Sequence, residues 1–390
     1  MQQILKRTWV EIDLDRLQHN FETIRHTLHP HTRMMAVVKA DAYGHGAVSV
    51  ARELITFGVD CFAVSNLEEA IQLRQAGIGQ EILILSYTPV SQVPTLLQYH
   101  ITQTVICPAH AQALSDAAVA AGARLPVHIK IDTGMSRVGF VHHTSSDRAQ
   151  VAAEVVKAAG LPGLTPVGIF THFASADEPD DAFTRAQFAR FMQTVTDAED
   201  AGVRFAVRHC CNSAATERFP EMQLDMVRPG IILYGLAPDD SWMHDLLPLQ
   251  PVMQLKTAVS MVKTLAAGET VSYGRTYTAD HPITIATVPI GYADGYPRAM
   301  SNKAYMLVNG QKAPVIGRVC MDQCMLDVSG IDVEVGDTVT VFGDGLPVER
   351  YAAWMQTINY EAVCLIGKRV PRVYLRDGRQ VGFENMILKP

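Results

Sequence analysis

The chain has 390 residues, 48% of them apolar and 19% charged, enough to bury a large core and more than one compact domain usually holds. Its formal charge of -7, with no stripe of Lys and Arg, argues against a nucleic-acid binder and favours a small soluble substrate. The start, MQQILKRTWVEIDLD, has no apolar core behind a basic segment, and no apolar run approaches the ~18 residues that span a bilayer, so a cytoplasmic protein is expected.

The opening TWVEI reads as a strand that could pair into a later domain. Leu14, Leu17, Phe21, Ile24 and Leu28 then follow helical spacing, and MMAVVK at 34–39 reads as a fully buried strand. Seven more short apolar runs follow: CFAVS at 61–65, ILILS at 82–86, TQTVI at 102–106, VHIKID at 127–132, VGIFTH at 167–172, VRHCC at 207–211 and LDMVR at 224–228. Helix-length segments separate them, among them NLEEAIQLRQAG, with Asn66 as cap and Gly77 as stop, and the long DDAFTRAQFARFMQTVTDAEDAG.

Eight strand–helix units predict an α/β fold, a TIM (β/α)8 barrel over residues 13–245, with reacting groups at the C-terminal ends of its strands. Lys39, Ser65, Ser86, Lys130, Asp132, His172, His209 and Arg228 fall at or near those ends. After about residue 245 short alternating runs separated by Asn309-Gly310 and Gly343-Asp344-Gly345 predict a mainly-β domain over 246–390, joined by residues 1–12. Seven cysteines, including the adjacent Cys210 and Cys211, do not form a disulfide framework in a chain this long. Cys320 and Cys324 find no second cluster for a zinc site, so no metal is expected.

A lysine closing a buried strand, as in AVVKADAYGHG at 36–46, is desolvated, which lowers its pKa and suits it to Schiff-base chemistry. A lone lysine there more often snorkels to solvent. The company it keeps decides the matter. AVVKADAYGHG is followed in order by HIKIDTGMSRVG, THFASADE, HCCNSAAT, MVRPGIILYGLAP, VSYGRTYTA, PIGYADGYPR, GRVCMDQ and NYE, and this series resembles the alanine racemase family over nearly the whole chain.

The resemblance implies a pyridoxal 5'-phosphate enzyme, an isomerase that interconverts L- and D-alanine and supplies D-alanine for peptidoglycan. Lys39 would hold the cofactor as a Schiff base and act as one acid/base, and Tyr273 would be the acid/base on the opposite face. Racemisation needs that pair, because a proton leaves one side of Cα and another arrives on the other. Arg228 would donate to the pyridine nitrogen, supported by His172. Tyr43, Ser213, the amides of Gly230 and Ile231, and Tyr360 would hold the phosphate, with Asn212 beside Ser213 among the cofactor contacts. Arg137 would bond the cofactor's phenolic oxygen and help place the substrate carboxylate, Met321 would offer that carboxylate an amide, and Tyr292 would stand near the entrance. Lys130 stands where relatives can carry a carbamylated lysine.

The resemblance further implies a homodimer in which each active site is shared, with no nucleic-acid or membrane partner. Competing readings are a serine or broader racemase, a decarboxylase of the same architecture, which would need a carboxylate where Arg228 stands, and a barrel that only binds the cofactor. The thiols of HCC, close to the expected site, predict sensitivity to oxidants.

Overall fold

The computed structural model describes residues 6–239 and 241–388, and the chain divides into two compact units. One comprises Gln18–Ala42 and Ala47–Leu249; the other takes the residues through Leu17, the short piece Tyr43–Gly46, and everything described from Gln250 onward.

The first unit is a closed parallel barrel. Its strands are Arg33–Val37, Cys61–Val64, Glu81–Ile84, Thr102–Val105, Leu125–Asp132, Leu164–Phe170, Val207–His209 and Met226–Val227. Each pairs in parallel with its neighbours, and the ring closes where Met226 pairs with Arg33 and Val227 with Met34. All eight apolar runs are therefore strands, as expected of segments buried on both faces. The helix Leu14–Thr27 begins this run of elements. Asn66 caps Leu67–Gln75 by accepting from the Glu69 amide, and Gly77 leaves that helix at φ +85°. The long segment forms Ala182–Asp200.

The second unit is built on a ten-stranded sheet. Thr8–Asp13 lies inside it, antiparallel to Met253–Ala258 and parallel to Arg372–Arg376, so the opening strand does join the later domain. Asn309 and Gly310 both take positive φ, 48° and 76°, in the two-residue turn joining Tyr305–Val308 to Gln311–Ile316. The unit also carries two helices, Val348–Met355 and Asn359–Cys364, and a closing hairpin, Arg372–Arg376 with Arg379–Glu384.

Candidate active site

Lys39 stands two residues past the end of the first barrel strand, Arg33–Val37, and enters a left-handed turn in which Ala40, Asp41, Ala42 and Tyr43 all have φ between 52° and 55°. Left-handed backbone costs roughly 1–2 kcal/mol per non-glycine residue, so other contacts must hold it. Glu69 does much of this: one carboxylate oxygen accepts from the Ala40 amide and the other from Ser65, both at 2.8 Å. Asp41 accepts from the Ala47 amide at 2.8 Å.

Arg228, 3% exposed, leaves the last barrel strand for the interior. Its Nη1 donates to His209 Nδ1 at 2.8 Å, and its Nη2 donates to the Thr171 and Cys210 carbonyls at 2.9 and 3.1 Å. His172, the supporting residue implied by resemblance, stands farther off, with Nδ1 at 3.4 Å from Nη2. His209 is thus the nearer imidazole. Phe170 lies parallel to His209, and both Arg228 and Lys130 stand over its ring, 5.4 and 5.5 Å from the centroid.

Lys130 is almost wholly buried. Desolvation, reinforced by the charges of Arg137 and Arg228, lowers its pKa to about 7. Desolvation first, then Arg228, Arg137, Lys130 and Lys39, hold His172 well below the ordinary imidazole range. Arg228, Arg137 and Lys39, with Lys130 when it is protonated, thus all oppose a charge on His172. Arg137 is exposed, on a loop folded by Asp132, whose Oδ1 accepts from the amides of Gly134 and Ser136 at 3.1 and 2.9 Å.

Ser213 and Gly230 meet directly: the Gly230 amide donates to Ser213 Oγ at 2.9 Å, and Ile231 opens the short turn that follows. Asn212 caps Ser213–Arg218, accepting from the Ala215 amide. The thiols of Cys210 and Cys211 donate to the Met222 carbonyl and are fully buried, and burial pushes the Cys210 pKa up. The expected sensitivity to oxidants is therefore corrected, since a buried protonated thiol is inert.

In the second unit Tyr43 and Tyr360 sit side by side, ring centroids 6.1 Å apart. The backbone explains the meeting. Gly44, at φ +82°, passes so close to the Asn359–Cys364 helix that a Cβ would lie 2.3 Å from the Val363 carbonyl oxygen. Buried Arg372 donates to the carbonyls of Gly44, Ile366, Gly367 and Val370, tying loop, helix and sheet together.

Tyr273, Tyr292 and Met321 are 69%, 46% and 52% exposed. Ser272 anchors the Tyr273 turn by donating to the Arg318 carbonyl at 2.6 Å. The Tyr292 and Ala293 amides donate to the carbonyls of Cys320 and Met321. Arg369 grips Asp294 and Asp322, so the two segments that display Tyr292 and Met321 are held as one piece.

A lysine at a barrel strand end amid clustered cations, with a mainly-β unit that displays tyrosines, defines an enzyme of barrel-plus-β architecture. Models of the alanine racemase N-terminal and C-terminal domains match residues 12–238 and 252–374. An alanine racemase of Desulforamulus reducens is 48% identical over 369 residues, 94% of this chain and 98% of its own length. The solved alanine racemase of Clostridium difficile 630 superposes with a TM-score of 0.94 at 41% identity, covering 99% of this chain and all of that one. That of Bacillus anthracis with bound L-Ala-P gives 0.92 at 34% identity, covering 99% of each chain. The chain belongs to the alanine racemase family and is an enzyme of that family.

Proposed function

We propose that this enzyme interconverts L- and D-alanine with pyridoxal phosphate bound to Lys39. The observation that carries the reading is the placement of Lys39, Arg137 and buried Arg228 just past barrel strand ends, with His172 3.4 Å from Arg228. So much positive charge at a barrel mouth suits a ligand bearing a phosphate and a substrate bearing a carboxylate. When bound, pyridoxal phosphate supplies an electron sink that acidifies the amino acid's Cα–H.

The chain's own groups do the rest. Lys39 holds the cofactor and moves the Cα proton on one face, and Tyr273 moves it on the other. Arg228 keeps its proton and can only donate, so it places a hydrogen rather than an acceptor at the pyridine nitrogen. A decarboxylase of similar architecture would need the reverse. Tyr43 and Tyr360, already paired, with Ser213, Gly230 and Ile231, bind the phosphate, and Asn212 shapes that turn. Arg137 and the Met321 amide orient the substrate carboxylate, and Tyr292 limits side-chain size. Selection against serine would reach about a hundredfold at best, since an apolar pocket rejects one hydroxyl weakly.

Lys130, with a pKa near 7, has a large neutral fraction at physiological pH. Its free amine would take up carbon dioxide and release one proton, leaving a carbamate anion to orient Arg137. We place the working protein in the cytoplasm as a homodimer with shared sites, its D-alanine serving peptidoglycan synthesis. Among the described residues no helix is long and apolar enough to cross a membrane. Polarimetry on L-alanine tests the reading: rotation decays to zero with the holoenzyme and persists with Lys39→Ala. Rotation that persists with the holoenzyme would overturn it, and so would release of carbon dioxide from L-alanine, which removes rotation by leaving an achiral amine.

A further inference from the structure

A row of polar side chains crosses the barrel interior. Arg228 Nη1 stands 2.8 Å from His209 Nδ1, His209 Nε2 stands 2.8 Å from His128 Nδ1, and His128 Nε2 stands 3.6 Å from Glu81 Oε1. His128 and His209 are fully enclosed, at 1% and 0% exposure, whereas the Glu81 side chain is 32% exposed. Glu81 opens its strand and Arg228 follows the end of another, so the row runs from the floor of the barrel to the mouth where sites lie.

The groups at its two ends ask for the same order of donors and acceptors. A guanidinium has only donors, so His209 Nδ1 must accept and carries no proton. Desolvation and the charge of Arg228 keep His209 neutral, and a neutral ring then holds its proton on Nε2. That proton faces His128 Nδ1, which must accept in turn. His128 is left with its proton on Nε2, pointing to Glu81. At 3.6 Å this last contact is electrostatic rather than a full hydrogen bond, and among the described residues His128 Nε2 has no hydrogen-bond partner.

The surroundings hold the row in place. Gly168 makes room for the His128 ring: a Cβ there would lie 2.6 Å from two ring atoms. Phe170 stacks on His209 with centroids 4.7 Å apart and planes 5° from parallel, and it meets His128 edge-on.

We propose that Glu81 and His128 are positioning residues: the carboxylate on the barrel floor faces the His128 Nε2 proton, supports from the far end the same tautomers that Arg228 requires, and so steadies the direction in which Arg228 donates at the mouth. This rests on the reading of Arg228 as the donor to the pyridine nitrogen. Glu81 opens its strand and His128 lies within its own, both away from the C-terminal strand ends where the proposed function puts the cofactor. Their effect passes along the row because each imidazole can accept on one nitrogen only while it donates on the other.

Solid-state nitrogen NMR of the holoenzyme, with labelled histidine and labelled pyridoxal phosphate, reads the row directly, and His128→Gln assigns its signal. Both imidazoles are expected to be protonated on Nε2. In Glu81→Leu, where Arg228 alone holds the order, the His128 Nε2 signal should shift and the His209 signals should change or broaden with it. Glu81→Gln, which keeps an acceptor oxygen, should retain the wild-type pattern. Gly168→Ala should perturb His209 from the middle of the row with Glu81 intact. The proposal is overturned if His209 carries its proton on Nδ1, or if folded Glu81→Leu leaves both imidazoles unchanged. Should the imidazole signals change while the pyridine nitrogen signal stays still, the row stands and the reading of Arg228 as the ring's donor falls.

Discussion

Arg228 donates to His209 at 2.8 Å, whereas His172 lies 3.4 Å from the same guanidinium. The arginine is therefore aimed chiefly by a residue inside the barrel rather than by the one at its rim. Replacing His209 by Leu strands a buried charged donor, a loss of about 1–3 kcal/mol, and His172→Leu should cost less. Urea denaturation of the two variants checks the order.

Glu69 satisfies two amides with one carboxylate, Ala40 at the left-handed turn and Ser65 at the next strand end. Glu69→Ala should loosen the turn that carries Lys39. Hydrogen exchange should accelerate at Ala40 and Ser65 before the rest of the barrel, with a global loss of about 1–3 kcal/mol.

Glu217 is mostly buried, and neither carboxylate oxygen has a hydrogen-bond partner among the described residues. Desolvation raises its pKa from 4.5 to about 8. The folded state then binds the proton that the unfolded chain releases, so this stabilising contribution is full below about pH 4.5 and is lost as pH rises through about 8. Glu217→Gln should flatten that part of the stability profile, its advantage over the parent growing across this window. Thermal melts from pH 5 to 9, in steps of about one unit, read it.

The barrel was legible because buried parallel strands are written as unbroken apolar runs, and eight of them alternate with helix-length segments. Lys39 and Arg228 stand near barrel strand ends, where their motifs put them, and their roles there remain the proposal. Other parts leave little trace. ADAY contains no glycine, so nothing announces its left-handed turn. Glu69 reads as an ordinary first-turn acid of its helix, and Arg372 as a surface charge rather than the buried tie between loop and sheet. The helices Val348–Met355 and Asn359–Cys364 are too short to show a clear period among strands, although the second carries Tyr360.

Tyr273, Tyr292 and Met321 are exposed in the single chain, and the proposed shared site would cover them with a second copy. Neither Lys39→Ala nor Tyr273→Phe homodimers should racemise. Random reassortment of equal amounts makes about half the dimers mixed, each with one intact site, so roughly a quarter of all sites should recover. No recovery despite proven subunit exchange would place both bases in one chain.

In the proposed function two different residues serve the two faces of Cα. By the family's pattern Lys39 serves D-alanine and Tyr273 serves L-alanine. Solvent deuterium incorporation by Tyr273→Phe measures this most directly. Exchange from L-alanine should be lost while exchange from D-alanine persists; equal loss from both enantiomers would reduce Tyr273 to a structural role and end the two-base reading.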